Sequence, residues 1–312
     1  MALPTDVDQI AADNWNEYVR CRDAGHNDYV EQALLFDRYY SDDQWEPEDR
    51  ARLNAVKRPA LTLNVIKTSV NALLGAQIKQ RAEITLRPKR HTTVELADVH
   101  TRLMHHILET NRYRYKETQL FADGVIQDRG YFNVFMDFSK QIQGEAAIET
   151  LDPTDVLLEP EAKEYDPDTW NEVIITRWLT LDDIAVMYGE DKAKQLESLA
   201  GMGHTYGADS MLTGAENSFG DPNDPGLYAA PSDGDVTRVT RRVRVLDRQH
   251  RVLTKTQFFV DPRTGDMREV PDWPKDRIAQ FVAQFSLEFI SRNTRRIRWT
   301  VTADQVLLHD KW

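Results

Sequence analysis

Near the C-terminal end of the chain, apolar residues recur at the spacing of one helix face. They are Ile278, Phe281, Val282, Phe285 and Phe289. Intervals of three and four residues place side chains on the same side of a helix. Asp272 can cap this helix, and Pro274 suits its first turn, where the N–H that proline lacks would have no partner. The pattern predicts an amphipathic helix of about 16 residues, roughly 24 Å long.

The residues after this helix alternate between apolar and polar side chains. The apolar set is Ile297, Trp299 and Val301, and the polar set is Arg296, Arg298, Thr300 and Thr302. Alternation with a period of two predicts a half-buried strand, here with a cationic, hydroxylated outer face. Four arginines fall within seven positions of this stretch: Arg292, Arg295, Arg296 and Arg298. An ordinary helix–strand unit with a solvated polar face is the simpler interpretation of the same pattern.

The rest of the chain combines helical and strand patterns. Helices are predicted over residues 6–40 with a break near Gly25, after Asn64, and over 94–127 with a break near Asn111. Strands are predicted over residues 82–88, 131–138, 146–151 and 170–178, and Thr180 with Asp183 forms a capping signal. Residues 41–59 are polar turns, residues 200–235 form a disordered-like loop rich in glycine and proline, and residues 236–260 form a hairpin. These patterns predict an α+β fold.

Charge is distributed unevenly along the 312 residues. The net charge is −12, but residues 238–312 carry 16 basic and 9 acidic side chains, a local excess of +7. The preceding residues carry 23 basic and 42 acidic side chains, which gives −19. An acidic body does not coat DNA, whereas a basic C-terminal quarter favours local contact with a polyanion.

Several classes of chemistry lack their signatures. The sequence has no Walker A loop and no catalytic serine or cysteine motif, and Cys21 is the single cysteine. No run of eighteen apolar residues occurs, so no membrane span is expected. We therefore expect no catalytic residue, no metal site and no cofactor.

Two alternatives of other classes stay open at this point. The carboxylates between Asp152 and Asp168 could serve a metal-dependent nucleic-acid enzyme. The basic hairpin could instead bind a polyanion in a monomeric module, through Arg238, Arg241, Arg242 and Arg244.

A series of short motifs, in order along about 250 residues, resembles the portal proteins of short-tailed, P22-like bacteriophages. The first are residues 58–64 (RPALTLN), Ile66-Lys67, Leu74-Gly75 with Gln77 and Gln80, Asp123-Gly124 and residues 128–131 (DRGY). The next are residues 151–153 (LDP), residues 159–163 (EPEAK), Trp178 and Tyr188. The last are residues 258–261 (FFVD), residues 264–266 (TGD), residues 271–273 (PDW) and residues 306–310 (VLLHD).

The resemblance implies a non-enzymatic subunit of a ring, expected to be a dodecamer, at one capsid vertex of the virion. Double-stranded DNA would pass through its channel, the large terminase would dock for packaging, and head-to-tail adaptor and tail proteins would dock later. Major capsid and scaffolding proteins are further expected partners, and assembly would take place in the host cytoplasm.

The resemblance also implies a division of the chain into three parts. Residues 1–270 would form the wing, residues 271–290 the stem helix, and residues 291–312 the strand region of the clip. Because portals of this family usually continue through a second stem helix, we expect these residues to be part of a longer product. The expected DNA-facing or motor-facing residues are Arg292, Arg295, Arg296, Arg298, Lys275 and Arg277. The helix face from Ile278 to Phe289 would pack the stem.

Overall fold

The computed structural model describes residues 7–81, 83–88, 93–138, 142–162, 164, 166–202, 205–206, 209–212, 242–262, 265–270 and 273–312. The helices in these ranges are α1 (Val7–Cys21), α2 (Asn27–Tyr40), α3 (Pro47–Ala55), α4 (Val65–Lys79), α5 (Val94–Thr110), α6 (Tyr113–Ile126), α7 (Leu181–Tyr188), α8 (Glu190–Met202) and α9 (Lys275–Phe285). The strands are β1 (Tyr131–Asp137), β2 (Glu145–Leu151), β3 (Val156–Leu158), β4 (Glu172–Thr180), β5 (Met211–Leu212), β6 (Arg242–Val260), β7 (Met267–Glu269), β8 (Glu288–Ala303) and β9 (Val306–Lys311). This mixture confirms the predicted α+β class.

The chain divides into two compact units. Unit 1 contains residues 1–21 and 157–312, and unit 2 contains residues 22–156. Unit 1 is therefore built from both ends of the sequence, and unit 2 lies between them in the chain. The division into wing, stem and clip stays a prediction. Among the described residues, no helix combines the length and the apolar character needed to cross a membrane.

Unit 1 is organised around a sheet of order β3-β4-β6-β8-β9. The strands β4, β6, β8 and β9 are antiparallel neighbours, and the short strands β5 and β7 pair with the two ends of β6. The pairing of β6 with β8 runs without interruption from Val245↔Ala303 to Val260↔Glu288.

Helices cover both faces of the central part of this sheet. On one face, α7 and α8 pack through a buried cluster that includes Ile184, Leu196, Val245 and Val301. On the other face, Tyr18 and Cys21 of α1 pack against Leu157, Ile174 and Leu246. The short apolar run of β4, Val173–Ile175, fits burial on both faces, whereas β8 alternates and presents Thr300 and Thr302 to α1.

Polar contacts fasten α1 to the sheet. The buried amide of Asn14 donates to Thr300 Oγ1 at 3.0 Å and to Thr302 Oγ1 at 3.3 Å. Arg248 donates to the carbonyl oxygen of the same Asn14 side chain at 3.2 Å. Because buried polar groups are costly unless they are bonded, these partners fix the position of α1 on the strand.

Unit 2 combines α2–α6 with the two-stranded sheet β1–β2, in which Tyr131↔Leu151 through Asp137↔Glu145 are paired. Gln127 at the end of α6 donates to Asp37 of α2 at 2.7 Å, and Tyr40 donates to Asn71 of α4 at 3.1 Å. The predicted hairpin and the predicted helix break near Asn111 are confirmed. The predicted helix break near Gly25, also in unit 2, is confirmed as well. In unit 1, the predicted capping box of Thr180 with Asp183 is confirmed.

The helix predicted over residues 272–290 is shorter than expected. It spans Lys275–Phe285 and ends because Ser286 adopts the left-handed conformation, with φ 49°. Phe289 therefore lies on β8 and not on the helix. Asp272, the expected cap, lies outside the described residues.

Three other local predictions are wrong. The hairpin predicted over residues 236–260 is, from Arg242 onwards, the single strand β6, because partners on both edges keep the chain extended through Asp247–Arg251. The polar segment 41–59 contains α3, whose first position is Pro47. Residues 83–88 pair with no strand among the described residues, and Ala82 is outside them.

Part of the predicted loop 200–235 is ordered. Residues 200–202 complete α8, Ser210 and Met211 are buried, and β5 pairs with the start of β6. Residues 213–241, which contain most of that prediction, lie outside the described residues.

Candidate functional site: a basic two-stranded ribbon

The strands β6 and β8 continue beyond the rest of the sheet. Their neighbours β4 and β9 end their pairing at His250 and Trp299, so residues 251–260 and 288–297 form a ribbon of two long strands, which the short strand β7 joins only at Phe258–Val260. We call these twenty residues the distal ribbon. At about 3.3 Å per residue it is roughly 33 Å long.

Helix α9 packs against one end of the distal ribbon. Phe281 lies 5.3 Å from Phe259, with Trp273 5.4 Å from Phe281 and Phe289 6.4 Å from Phe259, all between ring centroids. Phe259 is buried, and this aromatic cluster holds the helix on the ribbon.

The predicted stem-packing residues divide into two groups. Ile278, Phe281 and Val282 are half-buried on α9. Phe285 is 54% exposed although its ring lies 4.7 Å from that of Phe281, and Phe289 on β8 is 44% exposed. Within unit 1, the outer part of this aromatic surface is therefore uncovered.

The four predicted arginines do not form one patch. Successive residues of a strand point to opposite faces of the sheet. Arg292, Arg296 and Arg298 therefore lie on one face of β8, and Arg295 lies on the other. Arg292 and Arg295 are exposed and have no ion pair with any described residue. These two arginines remain available to a partner.

Arg296 and Arg298 already have partners. Arg296 pairs with Glu269 at 2.9 Å. Arg298 donates from Nε and Nη2 to Asp310 at 2.9 and 2.7 Å, and its guanidinium lies 5.2 Å from the ring of Trp312. The hydrogen bond to Asp310 raises the pKa of Arg298, and burial opposes this rise only in part. Arg298 is 5% exposed, so its predicted role as a DNA-facing or motor-facing residue is wrong in this subunit.

The predicted cationic, hydroxylated outer face is also wrong. Thr300 and Thr302 are buried because α1 covers that face, whereas Ile297 is 54% exposed on the opposite one. The sequence pattern correctly indicated a strand, but it could not show that a polar residue of α1 would satisfy these hydroxyl groups.

The two predicted cations on α9 differ. Arg277 stacks over Trp273 at 4.5 Å and stays exposed. Lys275 begins the helix, and its side chain lies outside what is described.

Sequence reasoning missed two residues of the distal ribbon. Lys255 and Leu253 are exposed on the same face as Arg295, with Leu253 directly opposite Arg295 in the register. The period-two pattern of residues 252–260 could have placed them, had this stretch not been assigned to a hairpin.

The alternative sites are occupied by structural contacts. Asp152 and Asp166 each cap a short turn, and Glu159 accepts two hydrogen bonds from Asn171. Within the described ranges, no group of three or more potential metal ligands occurs.

The basic hairpin that was expected to bind a polyanion is not a hairpin, because residues from Arg242 onwards form the single strand β6. Arg244 stacks on Trp178 at 4.3 Å and donates to the Asp209 carbonyl at 2.8 Å. Arg238 and Arg241 lie outside the described residues.

Comparison with known proteins identifies the family. A family model described as the phage P22-like portal protein matches residues 15–312, which include all of the central sheet and the distal ribbon. No curated protein matches the chain. The family match confirms the resemblance that the sequence motifs carry. The chain therefore belongs to the phage P22-like portal protein family.

Proposed function

We propose that this portal subunit assembles into a ring of twelve copies and that its distal ribbon is the surface that meets DNA or the packaging motor. As a phage portal protein, the chain forms the DNA channel at one vertex of the capsid and works with capsid and terminase partners. The number of copies, the contact residues and the individual partners are the content of the proposal.

The observation that carries the proposal is the pair of unpartnered arginines on the ribbon. Arg292 and Arg295 are exposed on opposite faces of a two-stranded element that extends past the supporting layers of the sheet. An arginine without an internal carboxylate partner keeps its planar set of donors for phosphate or carboxylate groups outside the subunit.

Lys255 is a third exposed cation of the distal ribbon and lies on the face that carries Arg295. The acidic remainder of the chain, at −19, opposes non-specific adhesion of DNA elsewhere. This distribution supports a channel protein that contacts the polyanion or its motor at a restricted place.

The partners follow from this function as further proposals. The large terminase docks on the ring during packaging, and head-to-tail adaptor and tail proteins dock after the head is full. Scaffolding and major capsid proteins hold the ring in the shell, and the assembly takes place in the host cytoplasm. The subunit acts through shape and docking surfaces and not through catalysis.

Electron microscopy of the purified full-length product tests the ring. Class averages with a central hole and twelvefold symmetry are the expected result. A uniform ring of another size would correct the copy number alone. Compact monomers that cleave DNA in the presence of a divalent metal would instead favour the enzyme alternative.

A double charge reversal tests the docking surface. Arg292→Glu with Arg295→Glu should leave ring formation unchanged and lower DNA packaging into proheads at least tenfold. The matched control, Arg87→Glu with Arg102→Glu, reverses two exposed arginines of unit 2 and should package normally. Equal packaging by both double variants would refute the assignment of the ribbon.

A further inference from the structure

Residues 59–64 form a connecting segment that belongs to no helix and no strand. This segment, Pro-Ala-Leu-Thr-Leu-Asn, leads into α4, and its Leu61 and Leu63 side chains are 79% and 89% exposed. The backbone N–H groups from Ala60 to Asn64 donate to no described acceptor. Side chains two positions apart lie on one side of a chain when it is extended, so these two leucines and the unbonded backbone donors suit a segment that can add to a sheet as a strand.

Both ends of the segment are fastened within unit 2. Asn64 donates to the carbonyl oxygens of Tyr39 and Tyr40 at 2.9 and 3.1 Å, and its own side-chain oxygen caps α4 by accepting from the Lys67 N–H at 2.9 Å. The Arg58 N–H donates to Leu53 O at the end of α3. The segment is thus fixed at both ends, which lowers the entropic cost of adding it to a sheet.

Unit 2 also contains a sheet with one open edge. On the outer edge of β2, Asn111 donates to Ala146 O at 2.7 Å and accepts from the Ile148 N–H at 3.0 Å, and Lys116 donates to Ile148 O. These side chains close that edge, as a neighbouring strand would.

The outer edge of β1 has no such cover. Val134 and Met136 are the register partners of Ile148 and Ala146, so their backbone N–H and C=O groups point outward as well. No described group bonds to them, and their side chains are 69% and 51% exposed. A sheet of only two strands is marginally stable in water, and a third strand would complete it.

Length and charge match the segment to this edge. Six extended residues span about 20 Å, against about 23 Å for the seven residues of β1. Residues 57–67 carry three basic side chains and no acidic one, whereas residues 131–151 carry three acidic and one basic. Complementary charge favours association between these two surfaces of different copies.

We propose that residues 59–64 of one portal subunit add as a third strand to the β1 edge of the neighbouring subunit. This inference rests on the proposed ring, and it identifies an interface within it. The segment and the edge are different surfaces of the same chain, so the contact is head-to-tail and closes into a ring when the rotation between copies allows it. Main-chain hydrogen bonds supply the pairing, and the leucines pack beside the exposed side chains of β1.

Disulfide trapping tests the contact directly. The native Cys21 is buried, so a variant with Leu61→Cys and Val134→Cys presents two new thiols on the full-length chain. After mild oxidation of assembled rings, a ladder of dimers, trimers and larger species is expected in non-reducing electrophoresis. Each single-cysteine variant should give no ladder, because a head-to-tail contact joins two different positions.

A charge insertion with a matched control tests the energetic role of the segment. Leu63→Asp should raise at least tenfold the protein concentration needed for half-maximal ring formation, while the melting temperature of the unassembled subunit stays unchanged. The control Val186→Asp alters a side chain that is 87% exposed and should assemble normally.

The outcomes separate this interface from the proposed ring. Rings of the double-cysteine variant that give no ladder, together with normal assembly of Leu63→Asp, would overturn the interface and leave the portal ring intact. A ladder that stops at dimers would indicate a two-fold contact and would also overturn it. A wild-type chain that forms no ring under any assembly condition would overturn both proposals.

Discussion

Replacing Glu172 by Gln removes one charge from a buried ion pair without changing its shape. Glu172 begins β4, and its side chain is 7% exposed. Arg248 donates to Oε2 from two nitrogens at 3.0 and 2.7 Å, and Arg20 of α1 donates to Oε1 at 2.8 Å. The carboxylate therefore joins the first helix of the chain to the central strand.

The cost of Glu172→Gln follows from the burial of its partners. Removing one member of a buried pair typically costs about 3–5 kcal/mol, because the other charge remains buried without compensation. Arg248 is 12% exposed, so its charge would stay buried without a counter-charge and the full penalty applies to it. Arg20 is half exposed, so water screens its charge and reduces the penalty. We therefore expect about 3 kcal/mol, and a fall in melting temperature of roughly 6–12 °C for a unit of this size.

The effect should depend on pH in a defined direction. Burial alone would raise the pKa of Glu172, but the charges and hydrogen bonds of Arg248 and Arg20 outweigh it and hold the pKa below its ordinary value. A carboxyl group with a lowered folded-state pKa stabilises the fold above the pKa of the unfolded chain, about 4.3. The difference between wild type and Glu172→Gln should thus be complete at pH 7 and shrink as the pH falls below about 4.

Urea denaturation followed by circular dichroism at pH 7 measures this difference. The control Glu190→Gln changes an 81% exposed carboxylate that lies 3.5 Å from Lys194, and it should cost less than about 0.5 kcal/mol. A loss below about 1 kcal/mol for Glu172→Gln, or equal losses for both variants, would refute the argument from burial.

Two further predictions concern Arg298 and Asp123. Arg298→Ala should cost about 1.5–3 kcal/mol in urea denaturation because it removes a buried guanidinium and its two hydrogen bonds to the Asp310 carboxylate. Arg295→Ala, at an exposed position, should cost less than about 0.5 kcal/mol, and equal costs would contradict the assignment of Arg298 to the core. Burial, helped by the charges of Asp152 and Asp37, raises the pKa of Asp123 to about 6, so wild type should lose stability as the pH rises from about 4 to 6. Because the group is partly exposed, we expect Asp123→Asn to add about 1–2 kcal/mol at pH 8 and nothing at pH 4, and a gain independent of pH would contradict the shift.

Local patterns predicted those elements whose stability is local. The hairpin of β1 and β2, the break near Asn111 and the capping box at Thr180 depend on neighbouring residues, and all were predicted. The strand β6 was interpreted as a hairpin because the polar residues 247–251 resemble a turn. Pairing on both edges overrides that preference, and such partners are distant in the sequence.

The candidate site was predicted only in part for the same reason. The sequence identified the basic strand and the exposed arginines Arg292 and Arg295. It could not show that Asp310, twelve residues away, would bury Arg298, or that Asn14 would satisfy Thr300. A polar side chain on an alternating strand is exposed to solvent only where no other element packs a hydrogen-bond partner against it.

The fastening of α1 to β8 has a consequence for the order in which the chain folds during synthesis. Asn14 and Thr300 are separated by 286 residues, and at roughly 5–20 residues per second the ribosome needs about 15–60 s to produce the second after the first. During this interval unit 2 is complete and able to fold, and β3, β4 and β6, which cover Tyr18 and Cys21, emerge before β8 does. The amide of Asn14 is therefore without its threonine partners in every nascent subunit until β8 has emerged from the ribosome.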